Sequence, residues 1–133
     1  MRYCADTWFL LALYDKDVKA IGLFQGLQHT KDWLIISYIA YAETVKKFFQ
    51  RGVPEKNIVT FFTLLESTEK IQLIPVDKSI GKEAAKVSLT YHLSLMDACI
   101  AATSKIMGCD ILLSGDEDFN LAAKKKYVKV QSW

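Results

Sequence analysis

Hydrophobic residues along the chain fall into two patterns. Short continuous apolar runs of strand length, such as "WLIIS" at Trp33–Ser37, are typical of strands buried in a sheet. Longer stretches between them place apolar residues three and four positions apart, which is the spacing of an amphipathic helix. Together the two patterns predict the element order β-α-α-β-α-α-β-α-α-β-α-β.

The bounds of the predicted elements follow from capping and turn residues. The predicted strands are Arg2–Ala5, Trp33–Ser37, Ile71–Val76, "DILLS" and "VKV". The predicted helices begin near Thr7, include "DVKAIGLFQGL", and cover Tyr38–Arg51, Pro54 to about Ser67, Asp77 or Ser79 to about Tyr91, Ser94 to Gly108, and Asp116–Lys124. Pro75 favours an edge position for the third strand. The apolar stripe of Tyr38–Arg51 consists of Tyr38, Tyr41, Ala42, Val45, Phe48 and Phe49.

Apolar strands that alternate with amphipathic helices predict an α/β fold, with three α/β/α layers around a central, mostly parallel twisted sheet. The 133 residues are enough for one domain with one core, so we expect a single domain over residues 1–133. Gly52 and Pro54 separate two adjacent helices and do not mark a domain linker.

The composition, 51% hydrophobic and 24% charged, is that of a soluble globular protein. The apolar runs are too short to cross a bilayer and no signal peptide is recognisable, so we expect a cytoplasmic protein without membrane attachment. Three cysteines without a CxxC motif indicate neither a disulfide framework nor a zinc site. We interpret Cys4, Cys99 and Cys109 as core residues.

The charge gives little guidance, because a net charge of +2 does not by itself indicate a nucleic-acid partner. Basic residues cluster at Lys46, Lys47 and Arg51 and again at Lys124–Lys126. Such clusters are more often solvated helix faces than binding sites.

Four acidic residues occupy positions from which they can meet at one edge of the sheet. Asp6 follows the first strand directly, and Asp116 follows "DILLSG". Asp97 lies in the first turn of a helix, and Glu43 lies in the second turn of the helix after "WLIIS". In an open parallel sheet ligands bind outside the carboxyl ends of the strands, where Asp6 and Asp116 should stand.

Each acid also has a purely structural interpretation. Asp6 and Asp116 suit helix N-caps, and Ser94-x-x-Asp97 has the spacing of a capping box. Glu43 is placed to pair with Lys46 and Lys47, and its helical position is opposite the apolar stripe. Taken singly, each acid is more often structural than functional, so both interpretations stay open at this point.

Taken together, the four acids favour a cation site. Clustered carboxylates repel one another, and no arginine or lysine lies near Asp6 or Asp97 in sequence to offset them. An all-carboxylate set favours Mg²⁺ or Mn²⁺, and the Thr7 and Ser114 hydroxyls are near enough to hold metal-bound water. Such a site suits phosphodiester hydrolysis, which needs no protein nucleophile. None is evident, since no GxSxG motif occurs and both histidines lack a motif context.

The segments that carry these acids resemble the PIN-domain family, especially the VapC-like ribonuclease toxins. They are "ADTWFLLALYDKD", "SYIAYAETVKKFF", "HLSLMDACIAATS" and "ILLSGDEDF" with its S-x-D-x-D-F form. Their order and spacing extend the resemblance over nearly the whole chain. The chief departure is Trp8, which replaces a usually small residue after "DT" and either narrows the site or simply packs.

The resemblance implies a metal-dependent endoribonuclease that hydrolyses phosphodiester bonds of single-stranded or structured RNA with Mg²⁺ or Mn²⁺. The family's catalytic and metal-binding acids fall on Asp6, Glu43, Asp97 and Asp116. Thr7, Ser114 and Asp118 match supporting positions, with Asp118 less directly involved. Lys46, Lys47 and Arg51 are then weak candidates for RNA contacts.

The resemblance also implies the toxin of a type II toxin–antitoxin pair, with a VapB-like antitoxin whose segment covers the acidic groove. An RNA-processing nuclease without an antitoxin and a non-catalytic scaffold that binds RNA or protein remain alternatives. A neighbouring small gene for a DNA-binding protein would separate the first two, and metal-dependent cleavage would reject the third. A receiver domain and a haloacid-dehalogenase-like phosphatase fit poorly, because Asp6 lacks the nearby second acid that each requires.

A homodimer is predicted from surplus apolar helix surface. The segments "FQGL" and "FFTLL" and the aromatic residues Phe48, Phe49, Phe61 and Phe62 supply more apolar surface than one small sheet requires. A core role for the same residues is an equal alternative. The pairing that is common among PIN-like toxins favours the dimer.

Overall fold

The structure, a computed structural model, describes all 133 residues. Its elements follow the predicted order. The strands are β1 (Arg2–Ala5), β2 (Trp33–Ser37), β3 (Ile71–Ile74), β4 (Ile111–Leu113) and β5 (Val130–Gln131). The helices are α1 (Thr7–Tyr14), α2 (Val18–Thr30), α3 (Tyr38–Gln50), α4 (Glu55–Ser67), α5 (Lys78–Tyr91), α6 (Leu95–Ile106) and α7 (Asn120–Lys124).

The five strands form one sheet, parallel throughout, in the order β3-β2-β1-β4-β5. In the central strand, Cys4 lies opposite Ile35 of β2 and Leu112 of β4. The central strands are unbroken apolar runs because helices cover both faces of the sheet. This arrangement confirms the predicted three-layer α/β/α fold.

The core fills the space between sheet and helices. Its largest fully buried side chains include Phe9, Phe48 and Phe119. Cys4 and Cys99 are buried as predicted, whereas Cys109 is half-buried. None of the helices combines the length and the apolar character that crossing a membrane requires.

The strand order creates a crevice between β1 and β4. From β1 the sheet extends through β2 to β3 on one side and through β4 to β5 on the other. The carboxyl ends of β1 and β4 therefore flank a topological switch point, where open α/β sheets bind ligands. Asp6 directly follows β1, and the loop Ser114–Asp116 directly follows β4, so two of the four acids stand at this point.

Most predicted bounds agree with the structure within a few residues, and the differences have local causes. β3 ends at Ile74 because Pro75 has no N–H to donate to a ladder, and β3 is an edge strand as predicted. Pro54 stands one residue before α4, at the N-cap. The predicted helix Asp116–Lys124 is divided into a 3₁₀ turn at Glu117–Phe119 and α7.

The orientation of α3 differs from the predicted one. Tyr38, Tyr41 and Phe49 of the expected stripe are 49%, 37% and 55% exposed, and only Phe48 of that stripe is fully buried. The buried face instead consists of Ala40, Thr44 and Phe48.

Thr44 explains why hydropathy misleads here. The residue is polar but fully buried, because its hydroxyl donates a hydrogen bond to the Ala40 carbonyl (2.6 Å) and is satisfied inside the helix. The actual rotation of α3 brings Glu43 to the margin of the buried face, next to Thr44 in sequence, and not to the side opposite the core.

The orientation of α3 can be tested with a matched pair of substitutions. Ala40 is fully buried, so Ala40→Leu should overpack the core and lower the free energy of unfolding by about 1–3 kcal/mol. Ala42 is exposed, so Ala42→Leu should change stability by less than about 0.5 kcal/mol. Urea denaturation measures both. The predicted stripe, which includes Ala42 and omits Ala40, requires the opposite ranking, and that result would contradict the described orientation.

Candidate metal centre

Asp6 links the first strand, the first helix and the loop after β4. It is the N-cap of α1, where the Phe9 amide donates to Asp6 Oδ1 at 2.9 Å. The Ser114 hydroxyl donates to Asp6 Oδ2. Only 2% of the residue is exposed, yet it lines the cavity described below. The capping role and the site position are therefore compatible.

The loop after β4 is ordered by successive short-range hydrogen bonds. The Asp116 amide donates to Ser114 Oγ at 3.0 Å, so this one hydroxyl joins Asp6 to the Asp116 backbone. The Asp118 amide donates to Asp116 Oδ1 at 2.9 Å and starts the 3₁₀ turn. Asp116 thus caps the turn, as its structural interpretation predicts, and also faces the cavity.

Asp97 approaches the same point from α6. Ser94 is the N-cap of that helix, and the Asp97 amide donates to Ser94 Oγ at 3.2 Å. Asp97 and Asp116 are half-buried, whereas Asp118 is exposed. Each of these three residues offers one carboxylate oxygen, and the three oxygens lie within 4.8 Å of one another.

Glu43 is the fourth acid, and it approaches the other three from α3. The Thr7 hydroxyl is 3.4 Å from Glu43 Oε1, to which it donates. Glu43 is half-buried, and the positive charges of Lys46 and Lys47 act on its carboxylate. All four predicted acids consequently converge from the first strand, two helices and the loop after β4.

The convergence forms a cavity of about 240 Å³ at the carboxyl edge of the sheet. Its lining includes all four acids together with Thr7, Trp8, Lys47, Ser94, Met96, Ile100 and Phe119. Ser114 is buried beneath Asp6. Among the weak RNA candidates, Lys47 lines the cavity but Lys46 does not. Arg51, just past the end of α3, pairs with Asp15 at 2.9 Å.

Four lining residues were not singled out by sequence for contact with the cavity. Met96 and Ile100 gave no chemical signal, because apolar residues in an amphipathic helix are ordinarily core residues. Phe119 follows Asp118 in "DEDF" and is buried. Ser94 was recognised only as a helix cap, although the S-x-x-D spacing could have indicated its position next to Asp97.

The acids carry the electrostatic signature of a crowded site. Burial raises the pKa of Asp6 to about 6, against the opposing effect of the hydrogen bonds from Ser114 and Phe9, and the charge of Asp116 raises it further. Burial, followed by the charges of Asp116 and Glu43, raises the pKa of Asp97 to about 6. Burial also raises the pKa of Glu43, while Thr7 and Lys47 lower it.

The donor set fits a small divalent cation. Every candidate ligand atom is a carboxylate or hydroxyl oxygen, which Mg²⁺ and Mn²⁺ prefer. The Asp97, Asp116 and Asp118 oxygens lie within 4.8 Å of one another, a limit that includes the separation of about 3–4 Å between ligands of an octahedral Mg²⁺. A cation there would also offset the neighbouring negative charge that, after burial, helps to raise the pKa values of Asp6 and Asp97.

A larger cavity, of about 520 Å³, lies at the opposite edge of the sheet. Lys105, Lys126 and Lys129 line it, with Asp110 as its one carboxylate. Asp110 Oδ2 already accepts a hydrogen bond from the Arg2 amide at 2.8 Å. No acidic cluster forms in this larger cavity, so the volume of a cavity does not identify the metal centre.

The raised pKa values predict an unusual dependence of stability on pH without metal. An unfolded aspartate has a pKa of about 3.9, whereas folded Asp6 and Asp97 have values of about 6. At pH values between these two pKa values, folding is therefore accompanied by proton uptake. The stability that this protonation contributes is lost as the pH rises through 6. The unfolding free energy in EDTA should rise by about 1–2 kcal/mol, or several degrees in Tm, from pH 7.5 to pH 5.

Two variants control this measurement. Asp6→Asn keeps the acceptor for the Phe9 amide, loses the Ser114 bond, and should still melt higher than wild type at pH 7.5, with a weaker pH dependence. Asp77 is also an aspartate N-cap, with an equal cap distance of 2.9 Å, but it lies outside the cavity, so Asp77→Asn should keep the wild-type pH dependence. Wild-type stability that falls from pH 7.5 to pH 5 would contradict the shared site.

Comparisons with known proteins place this geometry in a family. A model of the PIN domain matches residues 3–125, and the curated proteins gave no match. The fold is similar to VapBC2 from Rickettsia felis (TM-score 0.76, 13% identity, 100% of this chain and 99% of that chain covered). It is also similar to VapC20 from Mycobacterium tuberculosis, a sarcin-ricin loop cleaving toxin (TM-score 0.70, 20% identity, coverage 90% and 94%). The structural likenesses show the fold, and the match over residues 3–125 shows that the chain belongs to the PIN-domain family.

Proposed function

We propose that this protein is a cytoplasmic, Mg²⁺- or Mn²⁺-dependent endoribonuclease, with residues 1–133 forming one nuclease domain. The observation that carries the proposal is the convergence of Asp6, Glu43, Asp97 and Asp116 around one cavity of a PIN domain. Single-stranded RNA is the favoured substrate, because unpaired bases and an accessible backbone fit an open cavity better than a duplex does.

The cation would be held by carboxylates from both sides of the crevice. Asp97 and Asp116 are the central ligands in this proposal, with Asp118 joining them within the oxygen cluster. Asp6 and Glu43 complete the negative lining. When bound, the ion supplies Lewis acidity to a phosphodiester oxygen and lowers the pKa of a coordinated water.

The chain's own residues hold the ligands and manage protons. Ser114 fixes Asp6 Oδ2 while the Phe9 amide fixes Oδ1, so this carboxylate stays in one orientation. Thr7 orients Glu43 in the same way from the start of α1. In the metal-free site the raised pKa values leave Asp6 and Asp97 partly protonated near pH 6, and a bound cation would displace those protons. Lys47, the one cationic side chain of the lining, attracts the phosphate backbone.

We further propose a VapB-like antitoxin as partner, with a segment that covers the acidic cavity. The support is the similarity to VapBC structures, including the DNA-bound complex from Salmonella typhimurium (TM-score 0.75, 12% identity, 100% of this chain and 98% of that chain covered). An RNA-processing nuclease without an antitoxin is the alternative. A small gene for a DNA-binding protein next to this one favours the toxin.

Cleavage should require both metal and Asp97. We expect wild type to cut members of a panel of single-stranded RNAs in Mg²⁺ or Mn²⁺ and to leave them intact in EDTA. Asp97→Asn can still occupy its helical position but removes one charged ligand, so the rate should fall by on the order of a hundredfold or more. Gel electrophoresis of end-labelled RNA measures the rate.

Asp110→Asn is the matched control for this loss. Asp110 lies at the opposite edge of the sheet, and asparagine can still accept the hydrogen bond from the Arg2 amide. The control should cut at the wild-type rate. A folded Asp97→Asn protein with wild-type activity would reject the assignment of Asp97, and RNA binding without cleavage in any metal would favour the non-catalytic scaffold.

The homodimer remains part of the proposal, with a changed surface. Phe48 and Phe62, expected as interface residues, are in the core. An apolar face of α3 takes their place, formed by the exposed residues Tyr38, Tyr41, Ala42 and Phe49 with the half-buried Val45. Phe49 is the most exposed of its aromatic residues. An exposed apolar helix face of this kind can form an interface between subunits.

Light scattering at micromolar concentration should return twice the chain mass of 15.1 kDa. Phe49→Glu should shift the mass towards one chain, because a buried unpaired carboxylate opposes association. Leu89→Glu on α5, where the side chain is also exposed, should leave the dimer intact. A wild-type mass of one chain would reject the proposal.

A further inference from the structure

Trp8 is the residue of the cavity whose presence the carboxylate chemistry does not explain. It is the second residue of α1 and lines the cavity beside Thr7 and Glu43. The residue is 46% exposed, and the indole N–H donates to no protein group. Tryptophan is ordinarily well buried, so a half-exposed indole on a cavity wall has surface available for a ligand.

Lys47 lies over the same ring. Its Nζ is 5.1 Å from the Trp8 ring centroid, and its side chain also lines the cavity. The wall therefore offers an aromatic ring with a positive charge over one of its two faces. RNA presents the complementary pair, since each nucleotide carries a flat base and an anionic phosphate.

A lysine over a tryptophan is not by itself a binding site. Trp33 has Lys70 Nζ at 4.6 Å from its ring centroid, but it begins β2 at the opposite edge of the sheet. Trp133 packs edge-on against Phe9 at 5.2 Å between ring centroids. Only Trp8 combines exposure, a neighbouring cation and a place on the wall of the acidic cavity.

We propose that Trp8 is a stacking platform for a nucleobase next to the scissile phosphodiester, with Lys47 beside the adjoining phosphate. The inference rests on the proposed ribonuclease function and adds the subsite that holds the substrate. Stacking tolerates any base because every base has a π-face. It requires an unstacked base, so Trp8 contributes to selecting single-stranded over double-stranded RNA.

Equilibrium binding separates this role from chemistry. The Asp97→Asn protein with Mg²⁺ is titrated into a labelled single-stranded RNA of about eight nucleotides, a length within the usual range of such sites. Adding Trp8→Ala should weaken binding about tenfold, within the range expected for loss of one base–aromatic stack. Trp8→Phe should keep most of the affinity, and Trp33→Ala, the matched tryptophan outside the cavity, should keep all of it.

A ligand without bases identifies stacking as the cause. An abasic ribose-phosphate oligomer of the same length keeps the phosphate charges but has no base to stack. The Trp8→Ala variant and its parent protein should therefore bind this oligomer with equal affinity. Lys47→Gln should weaken the binding of both ligands. It should also reduce the salt dependence of the binding constant by about the amount expected for one phosphate contact. With Trp33→Phe and Trp133→Phe also present, Trp8 is the only indole, and its fluorescence should be quenched by the RNA but not by the abasic oligomer.

The outcomes distinguish this inference from the proposed function. If wild type cleaves RNA with metal but Trp8→Ala binds RNA with unchanged affinity, the inference is overturned and the proposed nuclease function stands. A protein partner would then be the better candidate for contact with Trp8. An equal loss for RNA and for the abasic oligomer would also overturn stacking. Failure of the parent protein to bind any single-stranded RNA would overturn the inference together with the RNA substrate. If Trp8→Ala unfolds, Trp8→Leu replaces it.

Discussion

The site depends first on how the Asp6 carboxylate is held. One oxygen caps α1 through the Phe9 amide, and the other accepts the Ser114 hydroxyl, which in turn accepts the Asp116 amide. These bonds join the carboxyl ends of two neighbouring parallel strands at the switch point of the sheet. The contacts that end β1 and start α1 therefore also set the distance between Asp6 and Asp116.

Holding carboxylates this close has an electrostatic consequence. Burial and neighbouring negative charge raise the pKa values of Asp6 and Asp97 to about 6, so the metal-free site is partly protonated near pH 6. A divalent cation relieves the same repulsion. Lys47 reduces it only in part, and its second contact, with the Trp8 ring, places the positive charge at the cavity wall, where a phosphate can reach it.

Sequence predicted the parts of the molecule that depend on local chemistry. Apolar runs located the strands, Asp6 and Asp116 followed from their positions at strand ends, and Ser94 followed from its capping spacing. The rotation of α3 was not predictable from hydropathy, because Thr44 is polar yet satisfied inside its own helix. The exposure of Trp8 and its contact with Lys47 arise where α1 packs against α3, which no spacing within one segment encodes.

Proton release on metal binding tests the central claim, that the acids form one cation site, most directly. Titration calorimetry of Mn²⁺ in buffers of different ionisation enthalpy counts the protons released. At pH 6, Asp6 and Asp97 with pKa values of about 6 are each half protonated. Saturable binding should then release about one proton per site at pH 6 and close to none at pH 8, with less release in Asp97→Asn. Absence of saturable Mn²⁺ binding, or binding without proton release at pH 6, would contradict the shared site.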